Sequence, residues 1–401
     1  MNSADQAQSR MVQVLIVAYF CISLGLNNGF ILGGLTAFDQ GFLEQLNVSV
    51  AELKLRDTVT LAVTGVFAFL TGALVDKLGA LRVLIIGHIL FMTAFGLLSQ
   101  AGNINTIYGA QAILGICQLC SGYLVCVIAI SRLLPSGKGL AIGLMMASTS
   151  LANALLPSLN AGLIENYGPR TSLLLIAAAG IPLIVGALWV VGRKQISAEG
   201  TQSDAQTASG PTLAQAVRRL DFWALICVAC LSFFSFIGIV TNLALYAGAE
   251  PLNDPSAAGK LFFALFIISL IMQSAAGWLA DRFALRPIHM TGLLCMSIAA
   301  AGLGYAASSQ QALWWLVLMG FGWGLNYVFV QISIPARFGG AHLGRIFGVI
   351  VVAEALAAAA GPALFGQSLD RFGSYQPILL VCTGLLLVSM VSAGILHRPA
   401  R

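Results

Sequence analysis

The sequence predicts an all-α integral membrane protein whose twelve transmembrane helices form two six-helix repeats. Three observations carry this. Hydrophobic side chains make up 58% of the 401 residues and charged ones only 9%, where a soluble domain carries about 25% charge. Runs of about twenty apolar residues, each enough to cross a ~30 Å hydrocarbon layer as a helix, recur from end to end. The two halves of the chain also resemble each other at a fixed offset of 205 positions. A transmembrane barrel is excluded, because its strands would alternate apolar and polar side chains.

In chain order, residues 1–10 form a polar tail. The first run, 11–35, lacks an Ala-x-Ala cleavage site and reads as a retained helix rather than a signal peptide. The second, 55–75, has Lys54 and Arg56 at its start and Asp76 and Lys77 just past its end. The third, 83–101, follows Arg82, and the fourth, 105–130, stops before Arg132. Lys138 precedes the fifth, 139–163, and Arg170 the sixth, 171–192. Residues 193–220, rich in Ser, Thr, Gln and Ala, read as a cytosolic linker between an N-terminal bundle, 11–192, and a C-terminal bundle, 221–396. The second bundle holds runs at 222–248, 259–280, 288–308, 311–334, 346–368 and 376–396, and a short tail, 397–401, closes the chain.

An even number of crossings puts both termini on one side. With these boundaries one set of loops and tails holds 15 of the 20 Lys and Arg residues, and the other holds only Lys54, Arg56, Arg170, Lys260 and Arg371. The positive-inside rule then places both termini in the cytoplasm, with the chain crossing the cytoplasmic (inner) membrane many times. The net charge of +5 is therefore topological and does not point to nucleic acid. Two Cys-x-x-Cys pairs, Cys117/Cys120 and Cys227/Cys230, lie inside apolar runs, where thiolates are disfavoured, so they read as packing residues rather than metal ligands. No Gly-Lys-Ser/Thr phosphate loop is present, so no nucleotide and no cofactor is expected. Nothing demands more than a monomer.

The repeat is most visible in a loop motif. Gly72-Ala-Leu-Val-Asp76-Lys-Leu-Gly79-Ala-Leu-Arg82 follows the second run, and Gly277-Trp-Leu-Ala-Asp281-Arg282-Phe-Ala-Leu-Arg286 follows the eighth, 205 positions on. The same offset relates Arg132 to Arg337, Gly139 to Gly344, Gly143 to Gly348, Pro157 to Pro362, Glu165 to Asp370 and Gly168 to Gly373. This Gly-x-Leu-x-Asp-(Arg/Lys) loop resembles the signature of the major facilitator superfamily. The resemblance implies alternating access to a site between the bundles. Gly72 and Gly277 allow close helix approach, while Asp76, Arg82, Asp281 and Arg282 are expected to form a conformational gate on the cytoplasmic side.

Two further stretches, Arg132-Leu-Leu-Pro-Ser-Gly-Lys138-Gly139 and Gly344-Arg-Ile-Phe-Gly348 through Gly361-Pro362 to Tyr375, are similar to the monocarboxylate porters and oxalate:formate antiporters. In those relatives an arginine in the eighth span and a lysine in the eleventh meet the substrate anion. Here the corresponding positions are Gln273 and Glu354. Glu354 lies nine residues past Arg345, about 13 Å along a helix and so near the midplane. An ionisable group there is a functional-site hypothesis by default, and Glu354 is assigned to proton coupling. Spans one, four, seven and ten line the cavity in this superfamily, and polar stripes fall on all four. They supply the candidate solute-binding residues: Tyr19 and Asn27, Gln118 and Ser121, Asn242 and Tyr246, and Trp323, Asn326, Tyr327 and Gln331, with Gln273 from the eighth span.

The expected activity is secondary active transport of a small organic solute, either carboxylate-bearing or neutral to zwitterionic, coupled to protons as a symport. Its partners are the solute, protons and the lipid bilayer, and no covalent chemistry is implied. Two rivals are efflux of drugs or metabolites by the same fold, which Met145, Met146 and Phe233 to Phe236 would suit as a permissive wall, and a non-transporting sensor.

Overall fold

The computed structural model describes residues 3–134, 138–193, 211–338 and 343–396. Among these residues there is no strand. The helices are α1 (Ser3–Leu32), α2 (Asp39–Leu46), α3 (Val50–Leu78), α4 (Ala80–Leu98), α5 (Ile104–Ser121), α6 (Tyr123–Leu133), α7 (Lys138–Ala178) and α8 (Gly180–Arg193). They continue with α9 (Leu213–Ala216), α10 (Leu220–Gly248), α11 (Ala258–Arg282), α12 (Leu285–Gly304), α13 (Ser309–Phe338), α14 (Leu343–Phe372) and α15 (Gln376–Leu396). Ten stretches are long and apolar enough to cross a membrane among the described residues. One of them, Ala141–Gly192, is 52 residues long and takes in the fifth and sixth expected runs. The second expected run lies in α3. Most of the linker, 194–210, lies outside the described residues.

Local chemistry explains where the helices start and break. Ser49 caps α3 by accepting from the Glu52 amide while the Glu52 side chain accepts from the Ser49 amide, a reciprocal box that fixes the helix start. That start, at Val50, is five residues earlier than the apolar run suggests, so Lys54 and Arg56 lie inside the helix rather than in a loop. Gly122 divides the expected fourth span into α5 and α6. Within α7, Gly168 takes a positive φ of 77° just before Pro169, and Gly373, 205 positions on, takes 63° beyond the end of α14. A left-handed residue cannot continue a helix, and glycine adopts it without a Cβ clash.

Within the first half, α1 packs on α7, α4 on α5 and α8, and α3 on α5. Within the second, α10 packs on α14 and α15, α11 on α13, and α12 on α13 and α15. The halves meet along two helix pairs, α3 with α14 and α7 with α11. This seam is tight, since a Cβ on Gly366 would stand 2.9 Å from the Ala51 Cα. Hydrogen bonds inside the halves recur at the offset seen in the sequence. Thr64 Oγ1 donates to the Gly115 carbonyl at 3.1 Å, and Ser269 Oγ to the Gly320 carbonyl at 3.3 Å. Asn27 Nδ2 donates to Ser121 Oγ at 2.5 Å, and Asn326 Nδ2 to Ser232 Oγ at 2.9 Å. Each member of one bond is 205 positions from a member of the other.

Candidate functional site

Glu354 sits on α14 at 9% exposure, and its Oε2 is buried without a hydrogen-bond partner among the described residues. Cys230 of α10 and Tyr327 of α13 lie within electrostatic reach of its carboxyl group, and Tyr327 is in turn within reach of Tyr123 from α6 in the other half. An aromatic wall stands beside them. Trp323 stacks on Phe236 with ring centroids 3.7 Å apart and planes 4° from parallel, and Phe233 meets it edge-on at 4.8 Å. Tyr327 lies 5.7 Å from the same indole. Gln273 of α11 packs beside Gly324, the neighbour of Trp323, and its Oε1 accepts from Ser150 of α7 at 3.3 Å, across the seam. The structure thus brings together Trp323, Tyr327 and Glu354, while the Gln273 side chain turns to Ser150.

Other residues from the polar stripes face the interiors of their own bundles. The Tyr19 hydroxyl donates to the Leu183 carbonyl at 3.0 Å and lies 3.2 Å from His88 Nε2. Asn27 and Ser121 bond each other, with Cys117 Sγ 3.4 Å from Asn27 Oδ1. Asn326 links Ser232 to His289, whose Nε2 is 3.0 Å away. Asn242 donates to the Gly238 and Pro362 carbonyls, Tyr246 donates to the Leu303 carbonyl at 2.7 Å, and both line a small internal cavity with Tyr375 and Phe365. Gln118 and Gln331 are half-buried. Of the gate motif, the side chains of Gly72, Asp76, Gly277 and Asp281 lie outside the described residues, while Arg82 and Arg282 are exposed. No group of three His, Cys, Asp or Glu side chains is placed to hold a metal among the described residues.

Two features escape sequence reading. The first is a polar patch on α1 and α7, where Asn153 Nδ2 donates to Asn28 Oδ1 at 3.0 Å next to Ser150. The second is a fully buried ion cluster. Asp39, Lys54 and Arg56 have no exposure, and Asp57 only 8%. Asp39 accepts from both Lys54 and Arg56, and Lys54 also donates to the Thr241 carbonyl of α10 in the other half. Lys54 and Arg56 were counted with the loop, but the Ser49-x-x-Glu52 box just ahead of them was the available signal that the helix begins earlier. Around the cluster the seam is knitted further: Val50 and Ala51 amides donate to Asp370 at 3.0 and 2.7 Å, and Thr58 to the Ala359 carbonyl at 2.6 Å. The hydrogen bonds that cross the seam among the described residues therefore run from the level of Gln273 to the Asp39 end.

A family model described as Major Facilitator Superfamily matches residues 15–362. Among curated proteins, the chain is 23% identical to monocarboxylate transporter 2 of Meriones unguiculatus, over 93% of this chain and 81% of that one. It is 24% identical to monocarboxylate transporter 13 of Rattus norvegicus, over 91% and 85%. A shorter match, 32% identical over 31% of this chain and 24% of the other, is to a multidrug resistance protein B homolog of Mycobacterium tuberculosis.

Proposed function

The chain belongs to the major facilitator superfamily, and on that premise we propose that it is a proton-coupled secondary active transporter moving a small organic solute across the cytoplasmic membrane by alternating access. The twelve-crossing, two-repeat reading follows if Ala141–Gly192 folds back at Gly168 and α3 is itself a crossing. The hydrogen bonds and left-handed glycines that recur at the 205-residue offset support it. With both termini cytoplasmic, the seam is closed on the outer side. Carboxylates are the first candidates for the solute, because the relatives that match most of the chain are named monocarboxylate transporters.

One observation carries the coupling: Glu354, a buried carboxyl group with an unpartnered oxygen, stands beside an aromatic wall where α10, α13 and α14 meet. A charge there is costly unless it is neutralised, and a proton or a cationic portion of the solute does that. Purified protein in proteoliposomes should accumulate labelled L-lactate or pyruvate under an inward proton gradient, against protein-free vesicles as blank. No accumulation by folded protein would remove these two acids and direct the search to neutral and zwitterionic metabolites. Drug efflux is the second reading, favoured by the Phe233, Phe236 and Trp323 wall and the partial match to the multidrug resistance homolog. Expression that raises drug tolerance in growth curves without solute uptake would support it.

A further inference from the structure

We infer that Lys54 recognises the carboxylate of a solute entering from the Asp39 end, and that Asp39 is a tethered carboxylate occupying the same donors while that end is shut. The inference rests on the transport reading above and deepens it by naming the charge of the solute and the group that meets it.

The geometry is that of an occupied anion site. Asp39 gives Oδ2 to Lys54 Nζ and Oδ1 to Arg56 Nη2, one oxygen to each cation, as a free monocarboxylate would between the same donors. Arg56 is fixed in its own half by the Leu35 carbonyl at 3.3 Å and by the Phe42 ring, whose centroid is 5.8 Å from the guanidinium carbon. Lys54 is not confined in this way. Its ammonium group stands on the seam, donating to Thr241 of the opposite half. When the halves part at this end the Thr241 carbonyl withdraws, and a donor of Lys54 opens to what enters.

Charge and hydrogen-bond balance point the same way. Two cations face two acids, since Asp57 lies 3.7 Å from Lys54 and 3.4 Å from Arg56. Among the described residues Arg56 Nη1 is buried without an acceptor and Asp57 Oδ2 without a donor, so the cluster's own pairing is incomplete on both sides. An anion that takes the place of Asp39 keeps the two buried cations compensated while the Asp39 carboxylate turns into the opened, water-filled end of the seam; a neutral solute offers the cations no such replacement. The cluster thus supplies the positive charge that Gln273 and Glu354 do not.

The test is a set of concentration-dependent exchange rates in proteoliposomes, using labelled acetate, L-lactate, pyruvate, oxalate and succinate. The variants are Lys54→Arg, Lys54→Gln, Asp39→Asn and the double variant Asp39→Asn/Lys54→Gln. For an acid that the wild type moves, Lys54→Gln should raise KM about tenfold or more, the loss of one charge-assisted contact. Lys54→Arg should raise it far less, and Asp39→Asn, which removes the internal competitor, should lower it. Opposite shifts in KM separate recognition from a structural ion pair, where losing either partner weakens the same contact. Elution of Lys54→Arg and of the double variant as folded monodisperse protein excludes simple misfolding. If Lys54→Gln leaves KM unchanged, or both single variants raise it alike, the inference falls while the transport reading stands. If the wild type moves another solute but none of these five acids, the inference and the carboxylate assignment fall together and transport survives.

Discussion

Single side chains decide how this chain handles charge inside a low-dielectric layer. Glu354 has an oxygen with no partner among the described residues, so its role depends on what it can bind or release. Glu354→Gln keeps size and a hydrogen-bonding head but cannot take up a proton. It should abolish gradient-driven accumulation while solute exchange at equal pH on both sides continues, measured as counterflow in proteoliposomes. Retention of full accumulation would show that coupling resides elsewhere. Trp323 presents a different case, because it is 5% exposed and stacked on Phe236. Trp323→Ala removes a stacked ring from the aromatic wall, and a large-to-small change of this kind costs about 3–5 kcal/mol, so thermal unfolding should shift downward, whereas Trp323→Phe should restore most of the loss.

At the scale of helices, much was legible and the gaps have physical causes. Apolar runs located the helices that are long and apolar enough to cross a membrane, because a helix in lipid must be apolar over about twenty residues whatever it packs against. The start of α3 was misplaced because charge was taken to mean solvent, yet Lys54 and Arg56 are buried by pairing with Asp39. Helical periodicity showed that Tyr19, Ser23 and Asn27 share a face. It does not say whether that face meets the other half or the bundle's own interior, and here it meets the interior, at His88, Leu183 and Ser121. Tyr327 and Glu354, read from separate helices, do lie within electrostatic reach of each other. The capping box at Ser49 is itself testable: Ser49→Ala removes one amide acceptor, and loss of such a cap costs about 1 kcal/mol. A small drop in melting temperature without a change in KM is expected, read by thermal unfolding and exchange assays on the same sample.

For the molecule as a whole, the proposed alternating access requires the two halves to separate at one end for solute to pass. Gly366 packs so closely on Ala51 that a Cβ there would stand 2.9 Å from the Ala51 Cα, nearer than side chains come to backbone, so the helices must shift to admit one. Gly366→Val should therefore hold the seam open at this point and slow solute exchange in proteoliposomes, with folding checked by elution as a monodisperse protein. Unchanged exchange by the folded variant would refute a role for close contact at this part of the seam.

The paired bonds Asn27 to Ser121 and Asn326 to Ser232 hold one more consequence. The amide stands on the first helix of one half and on the fourth of the other. On the two-repeat reading, both descend from one ancestral contact, and at least one copy has exchanged its partners since duplication. Neither single step is neutral, because Asn27→Ser shortens the reach and Ser121→Asn crowds two amides. The double exchange Asn27→Ser/Ser121→Asn writes the second half's arrangement into the first, and it should keep more stability than either single variant.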